Sequence, residues 1–305
     1  MDSVFTPVSV TVAKDGSGNY QTIQQAIVCA SKKKSIQKII VYPGVYEENI
    51  SIYNDGLTLI GIGDVRIEGN WSAKDLLPNG ELRGTFQTAT VFINAKDVTL
   101  EGITIKNTAG PDHVAAQAVA LYIEGTNVTI NRCSLDAYQD TLCLGPLPIM
   151  TKDETPLLSP WRSRVFSQQL SYFNECTISG TIDFIFGGGQ ALFTSCHIYS
   201  RKRAQVNYLT AASTPKGAEG FIFMNCQVSG ESPYYLGRPW RQYAKTVFEK
   251  CIFDKWLTSA GWHDWDKEAA QKTVCYKEID CTYAILPQRA SWMTLEGAKT
   301  NEKKT

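Results

Sequence analysis

N-V-T-I-N-R-C-S-L at residues 127–135 is followed by S-Y-F-N-E-C-T-I (171–178), A-L-F-T-S-C-H-I (191–198), F-I-F-M-N-C-Q-V (221–228) and T-V-F-E-K-C-I-F (246–253). All five share one template, in which an apolar run is followed two or three residues later by cysteine and then by another apolar residue. The aligned cysteines are Cys133, Cys176, Cys196, Cys226 and Cys251, separated by 43, 20, 30 and 25 residues. A repeat of 20 to 30 residues with variable insertions is how a β-solenoid reads: each coil contributes short strands, and equivalent residues stack into interior ladders. In such a ladder cysteine acts as a small apolar core residue. The 20-residue step is the shortest, which makes Cys176 and Cys196 neighbours on adjacent coils and places a bridge between them within reach.

Upstream the same short-strand pattern is looser. V-S-V-T-V (8–12) reads as a first strand, followed by a Gly-rich turn at 15–18. Tyr20, Ile23, Ala26, Ile27 and Ala30 fall at helical spacing, with Thr22 and Gln25 placed as a capping box and Lys32 to Lys34 suiting a helix C-terminus. This short helix is expected to cap the solenoid. K-I-I-V-Y-P-G-V-Y (38–46), L-T-L-I-G-I-G (57–63) and V-T-L-E-G-I-T-I-K-N (98–107) then continue as strands broken by turns. The expected organisation is one all-β unit over 1–298 with a disordered tail at 299–305. Residues 144–163 interrupt the rhythm with Pro146, Pro148, Pro156 and Pro160, and their place between Asp140 and Asp183 suggests a wall beside a functional cleft.

Composition narrows the function. With 30 basic and 30 acidic residues in 305, there is no electrostatic case for nucleic acid or an anionic membrane. No apolar run has the roughly 18 residues of a membrane span. Nine cysteines without C-x-x-C spacing, and N-x-S/T sequons at Asn49, Asn70 and Asn127, favour an extracellular protein whose signal has been removed. An odd cysteine count leaves at least one thiol free, and Cys275 with Cys281 is a second candidate pair.

Two runs carry chemistry. C-S-L-D-A-Y-Q-D-T-L ends at Leu142 and sets Gln139 beside Asp140; G-T-I-D-F-I-F-G-G-G (180–189) sets Asp183 between Ile182 and Phe184. A carboxylate among apolar neighbours needs a cation or donors, and G-R-P-W (237–240) offers Arg238. The three histidines, His113, His197 and His263, come without G-x-S-x-G, and His197 follows a ladder cysteine in a structural position. No cluster has metal-ligand spacing. Glycines 187–189 lack the G-K-[ST] ending of a phosphate loop and read as a tight turn. Paired carboxylates remain, able to divide nucleophile and acid roles if their surroundings push them apart.

These runs, with Gln117 in Q-A-V-A-L, G-S-G-N-Y-Q-T-I-Q-Q-A-I at 16–27 and A-G-W-H-D-W at 260–265, resemble the pectin methylesterases over nearly the whole chain. The resemblance implies a single-stranded right-handed parallel β-helix. It implies hydrolysis of the C6 methyl esters of homogalacturonan, with no cofactor and with pectin as the partner of a monomer. It assigns Asp183 as nucleophile, Asp140 as general acid/base, Gln117 and Gln139 as the oxyanion hole, and Arg238 as the group orienting Asp183. Trp240 matches a sugar-stacking position and Phe186 an apolar subsite. The long 144–163 loop and Y-L-T-A-A-S-T at 208–214 are similar to the bacterial-type branch, in which a disulfide occupies what looks like the Cys176–Cys196 place. Cys143 departs from the family, standing where a tyrosine is usual. The rivals are a pectin-cleaving glycosidase or lyase on the same architecture, and a non-catalytic polysaccharide-binding relative.

Overall fold

In a computed structural model, which describes residues 8–33, 35–151 and 153–300, the chain winds into a right-handed parallel β-helix. Three sheets run along it: eleven strands from Val8–Val12 to Thr294–Glu296, ten from Gly44–Tyr46 to Lys299–Thr300, and seven from Ile50–Ile52 to Tyr234–Gly237. Neighbouring strands within a sheet come from successive coils and pair in parallel. Backbone donors and acceptors are thus satisfied between coils while alternate side chains turn inward.

The repeated template sets the corner between the eleven- and ten-stranded sheets. The residue before each ladder cysteine lies in the left-handed region: Arg132 (φ 48°), Glu175 (53°), Ser195 (53°), Asn225 (54°), Lys250 (51°) and Asp280 (51°). One such residue turns the strand sharply enough to send the next side chain inward. Cys281 is therefore a sixth rung rather than half of a local pair with Cys275. Phe173, Phe193, Phe223 and Phe248 form a parallel column beside the thiols, their rings stacked at 4.6, 4.3 and 4.5 Å.

The expected Cys176–Cys196 bridge is not made, and all nine cysteines are free thiols. The two residues do occupy adjacent rungs. Each thiol donates instead to a backbone carbonyl one coil back: Cys176 to Ile130, Cys196 to Phe173, Cys226 to Phe193, Cys251 to Phe223 and Cys281 to Phe248, at 3.3–3.4 Å. Every rung from Cys176 onward has the same partner geometry, so no pair among them is singled out.

The helix Ile23–Lys32 closes the N-terminal end, burying Ile23, Ala26, Ile27 and Ala30. Thr22 accepts from the Gln25 backbone at 3.3 Å, as the capping motif predicts. The motif does not reveal Glu48, whose carboxylate accepts from the Ile23 and Gln24 N–H groups at 2.9 Å each and so meets the positive end of the helix. Lys34 lies outside the described residues. At the other end Lys299–Thr300, assigned above to a tail, pairs with Thr282–Tyr283 as the last strand of its sheet; residues 301–305 lie outside the described region.

The seven-stranded sheet positions the site. Its outward row runs Phe92, Tyr122, Cys143, Phe186, Ala211 in register across five coils. The first three are fully buried beneath Leu147, Leu157 and Trp161 of the proline-rich loop. Cys143 is therefore a core residue in this chain.

Candidate active site

Asp140 and Asp183 both adopt left-handed backbone angles, φ 67° and 48°, at the corner entering the seven-stranded sheet. Aspartate tolerates that region better than most residues. The register slips between Ile182 and Ile185, a bulge that turns the Asp183 side chain out of the core. Backbone bonds tie the coils together here: Asp140 N–H donates to Ile182 O at 3.1 Å, and Ala118 N–H to Gln139 O at 3.2 Å. Gln117 and Gln139 face each other across a parallel bridge.

The side chains of Gln117, Gln139, Asp140, Asp183, Phe186, Arg238 and Trp240 line a single cleft of about 320 Å³. Every site residue singled out in the sequence is in it. Asp183, 8% exposed, receives a two-pronged guanidinium: Arg238 Nε to Oδ1 at 2.8 Å and Nη2 to Oδ2 at 2.7 Å. This planar fork fixes carboxylate orientation and compensates its buried charge. Arg238 is itself clamped, with its Cζ 3.9 Å from the Tyr208 ring centre and 3.8 Å from that of Trp265. Asp140 sits beside this pair without sharing the fork. Burial drives its carboxyl well above the ordinary aspartate range and the Asp183 charge adds to that, while Arg238 and a hydrogen bond from Gln139 pull the other way. Two carboxyls one coil apart are thus set in opposite environments.

Trp240 and Phe186 form an aromatic corner, ring centres 5.8 Å apart. Thr85, Phe86, Ala211 and Trp265 also line the cleft and were not singled out from the sequence. Trp265 closes the quoted A-G-W-H-D-W run and was there to be found; Thr85 and Phe86 lie in an irregular stretch with no repeat to mark them. The proline-rich loop does not line the cleft itself, packing instead on the sheet beside it.

Other candidates resolve as structural. His197 Nε2 is 2.7 Å from Ser229 Oγ, away from the cleft. A Cβ at Gly187 (φ 117°) would lie 1.9 Å from Leu144 O, and the Gly188 and Gly189 N–H groups donate to Pro146 O and Leu144 O, each at 3.1 Å. Those donors close a turn and leave nothing to cradle phosphate. Among the described residues one group, His263, Asp264 and Asp266, brings possible metal-ligand atoms within 4.8 Å of one another. Part of its donor set makes local bonds: His263 Nδ1 accepts from Trp265 N–H at 2.9 Å, and Asp264 accepts from Gln271 Nε2 at 2.7 Å and Asp266 N–H at 3.0 Å. Of the sequons, Asn70 and Asn127 are exposed, the Asn127 amide donating to Asp97 Oδ1 at 2.6 Å, whereas Asn49 is half-buried and its amide donates to Ala89 O at 3.0 Å.

The family model described as pectinesterase matches residues 9–145 and 164–305. Pectinesterase 2 of Citrus sinensis is 34% identical over 285 residues, covering 88% of this chain and 50% of the relative. The chain spans about half the length of the curated relatives it matches. Among solved structures, pectin methylesterase from carrot superposes with a TM-score of 0.78 at 28% identity, covering 98% of this chain and 90% of that one. A pectin methylesterase in complex with a hexasaccharide gives 0.75 at 28% identity, covering 94% and 92%. Among the described residues no helix is long and apolar enough to cross a membrane.

Proposed function

The chain belongs to the pectinesterase family, and from that premise we propose that it hydrolyses the C6 methyl esters of methylated homogalacturonan. The observation that carries this reading is the Asp183–Arg238 fork set beside a buried Asp140 whose carboxyl is pushed up. Asp183 attacks the ester carbonyl, and the Gln117 and Gln139 amides donate to the oxyanion of the tetrahedral intermediate. Asp140 gives its proton to methoxide as the C–O bond breaks, releasing methanol and leaving an acyl–Asp183 anhydride. The resulting Asp140 carboxylate takes a proton from water, whose oxygen attacks the acyl carbon. Collapse frees the galacturonate carboxyl, restores Asp183 and leaves Asp140 protonated for the next cycle. Trp240 and Phe186 offer the apolar surface on which a sugar face packs.

The related structure with bound hexasaccharide supports a saccharide in this cleft. Action outside the cell by a monomer follows from the same reading, with Asn70 and Asn127 as the exposed sequons. Methanol release from highly methylated pectin, with reducing and unsaturated ends assayed on the same sample, tests it. Methanol without new ends is expected, and Asp183→Asn should lower the rate by about three orders of magnitude or more. New chain ends would transfer the site to glycosidase or lyase chemistry. A folded protein that releases nothing would transfer it to binding.

A further inference from the structure

Arg238 is gripped on its faces as well as on its edge. The edge carries the two hydrogen bonds to Asp183. The faces meet Tyr208 and Trp265, whose ring centres stand 3.9 and 3.8 Å from its Cζ. Two rings at that distance cannot share one side of a planar group, so the guanidinium lies between them. Both rings are braced in turn. Tyr235, paired with Tyr208 on the next coil, stacks on it at 5.4 Å with 13° between the planes. Trp265 N–H donates to His263 Nδ1 at 2.9 Å, and Lys267 Nζ lies 4.3 Å from the Trp265 ring centre. The His263 ring packs edge-on against both tyrosines, at 5.8 Å from Tyr208 and 5.4 Å from Tyr235.

The two rings differ in what else they touch. Trp265 lines the cleft, whereas Tyr208 is not part of that lining. Tyr208 stands on the coil between those of Asp183 and Arg238, paired with Ile182, and its N–H donates to Thr181 O at 3.0 Å. A side chain so placed reaches the cation that holds Asp183 without reaching the space a substrate fills. The Arg238 side chain is only 16% exposed, and a desolvated contact between a cation and an aromatic face is stronger than an exposed one. With that face open, the guanidinium would be free to tilt on its long stem and to take up water. The fork keeps its geometry only while the planes of guanidinium and carboxylate coincide.

We propose that Tyr208 is a positioning residue of the reaction, acting through Arg238 to hold the fork flat against Asp183 and making no contact with the substrate. This deepens the esterase reading of the site and rests on it. A cation fixed in place favours the ionised form of each carboxyl beside it. Asp183 faces Arg238 directly, and Asp140 faces Arg238, Asp183 and Gln139. Loosening Arg238 therefore makes both carboxyls harder to ionise, and the bell of kcat/KM against pH moves upward as a whole. The acid limb moves because Asp183 must be ionised to attack, the alkaline limb because Asp140 must be protonated to donate.

The test compares Tyr208→Leu and Tyr208→Phe with the wild type on methylated pectin, folding being checked by the urea midpoint. Tyr208→Leu should lower kcat by about tenfold or more with KM within about twofold. It should also move both limbs up by about half a pH unit or more. Tyr208→Phe, which keeps the ring, should restore kcat to within about twofold and return the limbs to their wild-type places. If Tyr208→Leu does not fold, Tyr208→Met is the second open-face variant and is read in the same way. A folded open-face variant with wild-type kcat and limbs overturns the proposal, and so does a Phe variant as impaired as the Leu one. A change in KM alone would make Tyr208 a substrate contact and overturns it too. Labelling with phenylglyoxal, followed on the peptide that carries Arg238, reads the grip without turnover. Arg238 should react about fivefold or more faster in Tyr208→Leu than in the wild type. That result in a protein that releases no methanol would sink the esterase reading and leave the grip standing. Equal labelling in an active esterase would overturn the role of Tyr208 alone.

Discussion

Asp140 carries a pH signature of its own. Its carboxyl titrates above the ordinary value of 3.8 because burial and the Asp183 charge disfavour the anion. The folded state therefore keeps a proton that the unfolded chain has lost, and stability falls as pH rises from about 4 toward the raised value. Asp140→Asn removes that term. The variant should match the wild type at acid pH and become progressively more stable than it toward about pH 7, read as the difference in urea midpoints. Its kcat/KM should fall by about 10²- to 10⁴-fold, the usual contribution of a positioned acid and base. A wild-type stability profile parallel to that of the variant would show that Asp140 is ionised in the fold. The sequence exposed this pair because Q-D-T-L and G-T-I-D-F place aspartates among apolar neighbours. It did not expose the clamp on Arg238, because Tyr208 and Trp265 reach it from other coils and no local spacing records that meeting.

At the scale of the strand and its corner, the repeated cysteine template was legible because every coil spends the same residue positions on the same turn. Cys281 escaped because K-E-I-D-C-T-Y (277–283) carries one apolar residue fewer before the corner. The left-handed residue at each corner was not legible at all: Arg, Glu, Ser, Asn, Lys and Asp fill it, and only asparagine and aspartate advertise the conformation. Lys250 is a clean place to measure its cost, being exposed with φ 51°. Lys250→Val should destabilise by about 1–2 kcal/mol, since a β-branched residue resists that region. Lys250→Asn should stay within about 0.5 kcal/mol of the wild type in urea unfolding. Equal midpoints for the two variants would mean that the corner relaxes to another conformation.

The whole molecule is held without a covalent cross-link among its described residues, its ends covered by a helix at one side and by Trp292, Met293 and Leu295 at the other. The bridge suggested by the shortest repeat step is absent from this structure, in which both thiols donate to carbonyls one coil back. Spacing along the chain reports that two cysteines are neighbours, and a column of equivalent neighbours singles out no one pair. Denatured without reductant, the protein should take up nine equivalents of iodoacetamide; folded, it should take up at most the two half-buried ones, Cys29 and Cys275. Seven equivalents in the denatured state would reveal one bridge.

The bond from Asp140 N–H to Ile182 O makes the two carboxylates members of adjoining courses in one wall. Their separation is inherited from the bricklaying, at roughly 4.8 Å per course, and the mortar is the ladder of backbone bonds that also holds up the rest of the building. A rotamer change can aim either carboxylate, but moving one course away from the other would require cracking the masonry on three sides at once. The spacing on which the proposed chemistry depends should therefore hold for as long as the fold itself stands.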